Sequence, residues 1–319
     1  MAVSRADVVW AYRNLLGREP ENEHVIRSHR GAVDFRSLCD IFVRCDEFKR
    51  RVAGDRATGA SASLPPLLPP LRVDTEADDD DLQRLWDRIR RTWTSLGEGR
   101  PFHSVLTDER FLPQRLPQFE EAFWESGRHE VAHLANYLAE LGVHNLSDAT
   151  ATELGCGVGR VTIPLGARCR RVIAYDISEP HLAIARRSAA AQARSTIEFI
   201  GCGEKLPAAF EACDLIYTKI VLQHNPPPII GALLQRLIRA LKPGGVGIIQ
   251  LPTYRLGYSF NLHEYLRSRQ STDMEMHCFP QPALFSLLAK EGARLVELRE
   301  DDATGHRDQF ISNTVVFTR

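Results

Sequence analysis

From residue 150 to the end of the chain, short β-rich runs alternate with helical stretches, and few folds accommodate that pattern. The runs are TATEL, RRVIAYD, TIEFI, CDLIYTK, GVGIIQL, ARLVELRE and QFISNTVVFTR. Between the early ones lie RVTIPLGAR, EPHLAIARRSAAAQA and PIIGALLQRLIRALKPGG. Strands joined through helices pair in parallel, because a parallel neighbour needs a crossover long enough to hold a helix. The pattern therefore predicts an α/β fold, a doubly wound sheet covered on both faces, over residues 148–319.

The upstream chain reads differently. Residues 1–52 predict a small all-helical domain: DVVWAYRNLLG carries apolar residues at helical spacing and stops at Gly17, and DFRSLCDIFVRCDEFKRR starts at a plausible cap, Asp34. Residues 53–81 are rich in Ala, Ser and Pro and end in four aspartates, which predicts an extended linker leading into a solvated helix entry. Residues 82–147 read as a helical extension, broken by GEGRPFHSVLTDERFLPQRLP.

Composition excludes several classes. Lys and Arg number 40 against 41 Asp and Glu, so no overall charge points to nucleic acid or an anionic membrane. No apolar run approaches the ~18 residues that a membrane span needs, and the first residues lack the apolar core of a secretory signal. The seven cysteines form no C-x-x-C pair. They predict reduced thiols in a cytoplasmic protein, with neither a disulfide framework nor a zinc ribbon.

One motif misleads. His129-Glu130-Val131-Ala132-His133 matches the H-E-x-x-H signature of zinc proteases. Yet the helix that contains it has its apolar stripe at Val131, Leu134, Leu138 and Leu141. At about 100° per residue, His129, His133, Asn136 and Glu140 fall on the opposite, solvated side. The downstream glycine and histidine of one large protease group are replaced by Asn136 and Ala139. The expectation is a polar helix face.

The stretch ATELGCGVGRVTIPL, Ala151 to Leu165, is more informative. A β-run ends at Glu153 and Leu154, then Gly155, Gly157 and Gly159 lead into a helix. Arg160 stands where a dinucleotide fingerprint would have its last glycine. RRVIAYDIS then ends in Asp176, an acidic residue at a second strand's tip that can accept hydrogen bonds from both hydroxyls of a ribose. IEFIGCGEKLP and CDLIYTKIVLQHNPPP follow, the latter with Asp214 opening a fourth strand and Thr218 and Lys219 at its carboxyl end; LKPGGVGIIQLP turns into a fifth.

Four of these stretches, all but IEFIGCGEKLP, in this order and spacing resemble the class I S-adenosylmethionine-dependent methyltransferases over about residues 148–319. The resemblance implies a Rossmann-like seven-stranded sheet with S-adenosyl-L-methionine as cofactor. It places Glu153, Gly155, Gly157, Gly159, Asp176, Ile177, Cys202, Gly203, Glu204, Thr218 and Lys219 at the cofactor. The third strand of the family often ends in an Asp that meets the adenine amino group. Cys202 stands there in this chain, so backbone groups or Glu204 would supply the contact. NPPP at Asn225 lies too far beyond Asp214 to be the amino-methylating N-P-P-aromatic motif, and Pro228 is not aromatic. Its prolines suit the first turn of a helix.

For the transfer itself, His224 is the candidate base for a hydroxyl acceptor. Residues 252–280 read as an insertion after the fifth strand that would roof the acceptor pocket. They offer Tyr254, Arg255, Tyr258, His263, Glu275 and His277 as substrate contacts. His224, His263, Glu275 and His277 could alternatively hold a divalent ion. AYRNLLGREPENE and FRSLCDIFVRCDEF are similar to a small helical domain found in bacterial proteins linked to surface polysaccharides. FHSVLTDERF, EMHCFPQ and FISNTVVFTR resemble a methyltransferase subgroup associated with glycosyltransferases. Together they imply O-methylation of a sugar or glycan hydroxyl, with the N-terminal domain docking the acceptor or a partner enzyme. N- or C-methylation of another small metabolite, or a non-catalytic cofactor-binding scaffold, are the alternatives.

Overall fold

The computed structural model describes residues 3–16, 18–45, 47–48, 68–271, 273–306 and 308–319. Gly17, and residues 53–67 of the expected linker, lie outside the described residues. The chain divides into two compact units, residues 1–69 and 70–319.

The first unit packs α1 (Arg5–Ala11), α2 (Glu23–His29) and α3 (Phe35–Arg44) around Val8, Tyr12, Ile26, Leu38 and Phe42. Each helix starts where a side chain satisfies an otherwise orphaned backbone N–H. Ser4 and Asp7 form a reciprocal capping box on α1, Asn22 caps α2, and Asp34 accepts from the Ser37 N–H at 2.7 Å as the sequence suggested.

In the second unit the short strand β1 (Arg72–Val73) precedes α4 (Asp79–Gly99), α5 (Pro101–Val105) and α6 (Leu116–Glu140). The alternating region then runs β2 (Thr150–Leu154), α7 (Thr162–Gly166), β3 (Arg171–Asp176), α8 (Glu179–Ala191), β4 (Ile197–Gly201), β5 (Cys213–Thr218), α9 (Pro227–Ala240) and β6 (Leu241–Arg255). It closes with β7 (Ser259–Phe260), α10 (Leu262–Arg267), α11 (Gln281–Lys290), β8 (Arg294–Asp301) and β9 (Phe310–Thr318). The seven-stranded sheet has the order β4-β3-β2-β5-β6-β9-β8, parallel except where β9 pairs with β6 and β8. Each of the seven predicted runs is one of its strands. β2 is buried at every position, as a parallel strand covered on both faces must be. On one face, Val131, Leu134 and Leu138 of α6 pack with Ala151, Val172, Leu215 and Ile248. On the other, Ile229, Leu233 and Leu237 of α9 join Leu85, Trp86 and Ile89 of α4.

Two expectations need correction. The C-terminal part of the 53–81 segment is not linker: β1 pairs in parallel with β7, and α4 begins at Asp79, capped by Asp78. Nor does the 252–280 insertion start at Pro252, because β6 continues to Arg255, held by its long antiparallel pairing with β9. The acidic run does enter a helix, and Pro227 occupies the first turn of α9. Among the described residues no helix is long and apolar enough to cross a membrane. All seven cysteines are free thiols.

Candidate functional site

After Leu154 the chain bends sharply, with φ of +74° at Gly155 and +53° at Gly157. Side chains rarely adopt that region, and here there is no room for one. A Cβ on Gly155 would fall 2.4 Å from Val221, and one on Gly157 would fall 2.5 Å from Val105 of α5. The pairing of β3 with β2 brings Asp176 beside this bend. Its carboxylate accepts the Gly157 N–H at 2.7 Å and the Ser178 N–H at 2.8 Å. Burial raises the Asp176 pKa, opposed by His181 and by those N–H donors.

This bend forms one side of a cleft with about 910 Å³ of space, part of it open to solvent. Of the residues expected at a cofactor, Glu153, Gly155, Gly157, Asp176, Ile177, Cys202 and Lys219 line it. Gly159, Gly203, Glu204 and Thr218 do not. Gly159 lies behind the bend against Ile163 and Ala185. Thr218 is buried with its hydroxyl unpartnered. Gly203 and Glu204 are exposed, because the chain turns outward after Cys202, and the Glu204 carbonyl accepts from Gln83 instead. Trp86, Ile89, Trp93, Ser104 and Val105 of α4 and α5 form the opposite wall.

At one end of the cleft lies a cluster that the sequence reading missed. Glu130 pairs with Arg160 at 2.7 Å and approaches Lys219 at 3.6 Å, and it accepts from the Tyr217 hydroxyl. Burial would raise the Glu130 carboxyl, but Arg160, Lys219 and Tyr217 outweigh it and hold the pKa below its ordinary value. So Glu130 of the protease-like motif turns inward, while His129 and His133 are exposed as expected. A signal was present. Glu130 stands three residues after Gly127 and four before Leu134, both buried, so it shares their side of α6. Gly127 is required there, since a Cβ would lie 2.0 Å from the Arg160 carbonyl oxygen.

Glu153 is buried and accepts from the Thr162 hydroxyl at 2.6 Å, yet burial pushes its pKa up to about 7. Unfolded glutamate ionises near pH ~4.3. Between there and about 7 the folded protein retains a proton that the unfolded chain has lost, so this group's contribution to stability falls as pH rises, then levels off. Glu153→Gln should therefore be more stable than the parent at pH ~8 by up to roughly 3 kcal/mol, and far less so near pH ~5. Urea midpoints of both proteins at the two pH values check this; a gain independent of pH would contradict it.

Ile220, also in the cleft wall, has φ +59°. For a β-branched residue that is strained by about 1–3 kcal/mol. Its N–H donates to Gln250 Oε1 at 2.8 Å, and the Gln250 amide donates to Gln223 at 3.1 Å and to Ser312 at 2.8 Å.

His224 lies on a short 3₁₀ turn, Leu222–His224, and lines a second, smaller chamber of about 310 Å³ rather than the cleft itself. The two spaces share Ile89 and Trp93. His224 Nδ1 is 2.8 Å from the Glu275 carbonyl, which can only accept, so Nδ1 carries the hydrogen and Nε2 keeps its lone pair. Burial pushes this histidine down to about 4, with His277 adding to the effect. Of the six expected acceptor contacts, Glu275 alone lines the chamber. Tyr258 and His277 stand behind it, the Tyr258 hydroxyl 3.0 Å from His277 Nδ1 and His277 Nε2 3.3 Å from Glu275. Tyr254 pairs with Ile311 in the sheet, Arg255 stacks on Phe310 at the exposed end of β6, and His263 is exposed on α10. These three positions follow from the extension of β6 and from the outer face of α10. Among the described residues no group of three or more His, Cys, Asp or Glu could hold a metal ion, so His224, His263, Glu275 and His277 do not form a ligand set.

Residues 151–245 match the family described as a methyltransferase domain. The ubiquinone biosynthesis O-methyltransferase of Parvibaculum lavamentivorans is 26% identical over 175 residues, 55% of this chain and 62% of that protein. The trans-aconitate 2-methyltransferase of Azoarcus sp. is 37% identical over 106 residues, 33% of this chain and 39% of that protein. The match thus spans less than two thirds of either relative's length. The magnesium protoporphyrin IX methyltransferase of Synechocystis PCC 6803, solved with bound S-adenosylmethionine, superposes with a TM-score of 0.51 at 18% identity, covering 77% of this chain and 100% of that one. The second unit has the Rossmann-like α/β fold of the class I methyltransferases, and residues 151–245 within it are similar to a methyltransferase domain. That domain is the kind found in enzymes that use S-adenosylmethionine.

Proposed function

We propose that the protein transfers the methyl group of S-adenosylmethionine to an oxygen of a small acceptor, a sugar or glycan hydroxyl. In this reading the ribose hydroxyls donate to Asp176, and the adenine lies along Ile177 and Cys202. The amino-acid end reaches the Glu130–Arg160–Lys219 cluster, whose mixed charges suit a group that is itself both cationic and anionic. The acceptor enters through the chamber behind Trp93. Its oxygen attacks the methyl carbon in line with the sulfur; the C–S bond breaks, its electron pair returns to sulfur, and the hydroxyl proton passes to His224 Nε2. The reaction needs alignment and exclusion of water more than activation, because the sulfonium already carries a good leaving group.

The observation that carries the oxygen assignment is the tautomer of His224: the Glu275 carbonyl fixes hydrogen on Nδ1 and leaves Nε2 as an acceptor, engaged by the Gln223 amide at 3.3 Å, which the acceptor hydroxyl would displace. Neither relative's name mentions a glycan; the sugar assignment rests on the N-terminal and C-terminal stretches quoted above. The exposed Trp10, Val33, Phe35 and Ile41 of the first unit would dock the acceptor or a partner enzyme. The seven free thiols are in keeping with a cytoplasmic setting.

His224→Gln should lower kcat by about 10²- to 10⁴-fold while affinity for S-adenosylhomocysteine stays within about twofold. With labelled cofactor and fractions of sugars, lipids, small acids and protein, the label should enter the sugar fraction. Unchanged turnover in the variant would favour a nitrogen or carbon acceptor. Cofactor bound without transfer to any fraction would favour a scaffold.

A further inference from the structure

Buried amides link the cleft wall to His224, and their hydrogen bonds run in one direction. The Ile220 N–H, in the cleft wall, donates to Gln250 Oε1 at 2.8 Å. A backbone N–H can only donate, so the oxygen of Gln250 faces it and the nitrogen faces away. That nitrogen gives its two hydrogens to Gln223 Oε1 at 3.1 Å and to Ser312 Oγ at 2.8 Å. Gln223 is thereby oriented too, its oxygen toward Gln250 and its nitrogen toward His224 Nε2 at 3.3 Å. Gln250 and Gln223 are 1% and 3% exposed, so water offers them no ready substitute partners. On the far side of the ring the Glu275 carbonyl takes the Nδ1 hydrogen at 2.8 Å. The His277 N–H donates to the Gln223 carbonyl at 2.7 Å, tying that loop to the same turn.

The hydrogens can be counted in each state of the ring. With His224 neutral and its hydrogen on Nδ1, every contact has one donor and one acceptor. The other neutral tautomer sets donor against donor at Nε2 and leaves the Glu275 carbonyl without a hydrogen. In the imidazolium, Nε2–H again meets the Gln223 amide hydrogens. Turning the Gln223 amide over mends that contact but sets its nitrogen against the nitrogen of Gln250. Gln250 cannot turn with it, because the Ile220 N–H would then face a donor. A proton on Nε2 therefore loses one buried hydrogen bond whichever way the amides lie. Among the described residues, the titratable and charged groups around the ring are Arg88 of α4, Tyr265 of α10, and Asp273, Glu275 and His277 of the segment after α10. Trp93 of α4 adds an aromatic ring at 5.4 Å.

We propose that Gln223 is a positioning residue: aligned by Gln250 and the Ile220 N–H, its amide keeps His224 Nε2 an unprotonated acceptor until the acceptor hydroxyl displaces it. This rests on the reading of His224 as the base. In the free protein the amide relay keeps solvent protons off the one nitrogen that must be empty. Once the hydroxyl stands in place of the amide, the conflict of donors is gone and Nε2 can receive the hydroxyl proton. Burial, which pushes the ring down to about 4, acts in the same sense.

The test reads the ring itself. In the full chain carrying histidine isotope-labelled at both ring nitrogens, NMR reports which nitrogen holds hydrogen, and the His224 signals are those lost in His224→Gln. The wild-type ring should be neutral, with hydrogen on Nδ1, at pH ~6. Gln223→Glu keeps an acceptor for Gln250 but turns a carboxylate toward Nε2, and should raise the pKa of His224 by about 1–3 pH units. Gln250→Met adds no charge and frees the Gln223 amide to turn over, and should raise it by about half a pH unit to one. This arm decides if the glutamate variant fails to fold. With labelled cofactor, the acid limb of kcat in Gln223→Glu should move up by as much as the ring does. An unchanged ring pKa in Gln250→Met overturns the relay and leaves the base reading standing. A raised ring pKa with an unmoved acid limb overturns the base reading and the proposal with it.

Discussion

Asp176→Ala is expected to weaken S-adenosylhomocysteine binding by at least about 100-fold. Two ribose hydroxyls donating to a buried carboxylate contribute about 1.5–3 kcal/mol each, and each 1.4 kcal/mol is about a factor of ten in affinity. The substitution does more than delete those contacts. Asp176 also accepts from the Gly157 and Ser178 N–H groups, so its loss releases the bend that faces the ligand and the turn that enters α8. Asp176→Asn keeps one acceptor oxygen and should fall in between. Calorimetry on folded variants measures the effect; an alanine variant that binds within about tenfold of the parent would remove Asp176 from the site.

Glu130→Ala is expected to destabilise the second unit by about 3–5 kcal/mol, the range found when one member of a buried ion pair is removed. The Arg160 side chain is 8% exposed, and its Nε already lacks a partner. Without Glu130 its charge faces Lys219 in a site that water reaches poorly, and the Tyr217 hydroxyl loses its acceptor. Combining Glu130→Leu with Arg160→Met should recover much of the loss, because an apolar pair of similar volume carries no stranded charge. Denaturant midpoints of the single and double variants test both statements. A loss below about 1 kcal/mol for the single change would mean that solvent already compensates Arg160.

The sheet was legible because its strands are governed by local pattern: apolar runs such as RVIAYD leave little choice about burial on both faces. The bend and Asp176 were legible because glycine spacing and a strand-tip carboxylate are local signals as well. Other features depend on residues far apart in the chain. Glu130 finds Arg160 and Tyr217 only after α6 has crossed the sheet. The contact of His181 with Ser104, and that of Ser178 with the Trp93 carbonyl, reach back to two helices that precede them. The end of β6 was misjudged because its pairing with β9 sets the length of that strand, and nothing within LPTYR itself does so. The acceptor contacts suffered accordingly: Arg255 follows the sheet outward and His263 faces solvent, while Trp93, from a segment read only as helical extension, stands between the two spaces.

Ile220 keeps its left-handed backbone because Gln250, in the middle of β6, holds its N–H while itself braced by Ser312 of β9. A conformation imposed from outside relaxes as soon as the brace slackens. Gentle heating, or damage along the antiparallel edge of the sheet, should therefore silence the proposed methyl transfer while circular dichroism still reports an intact protein, and on cooling that transfer should return without any refolding of the chain.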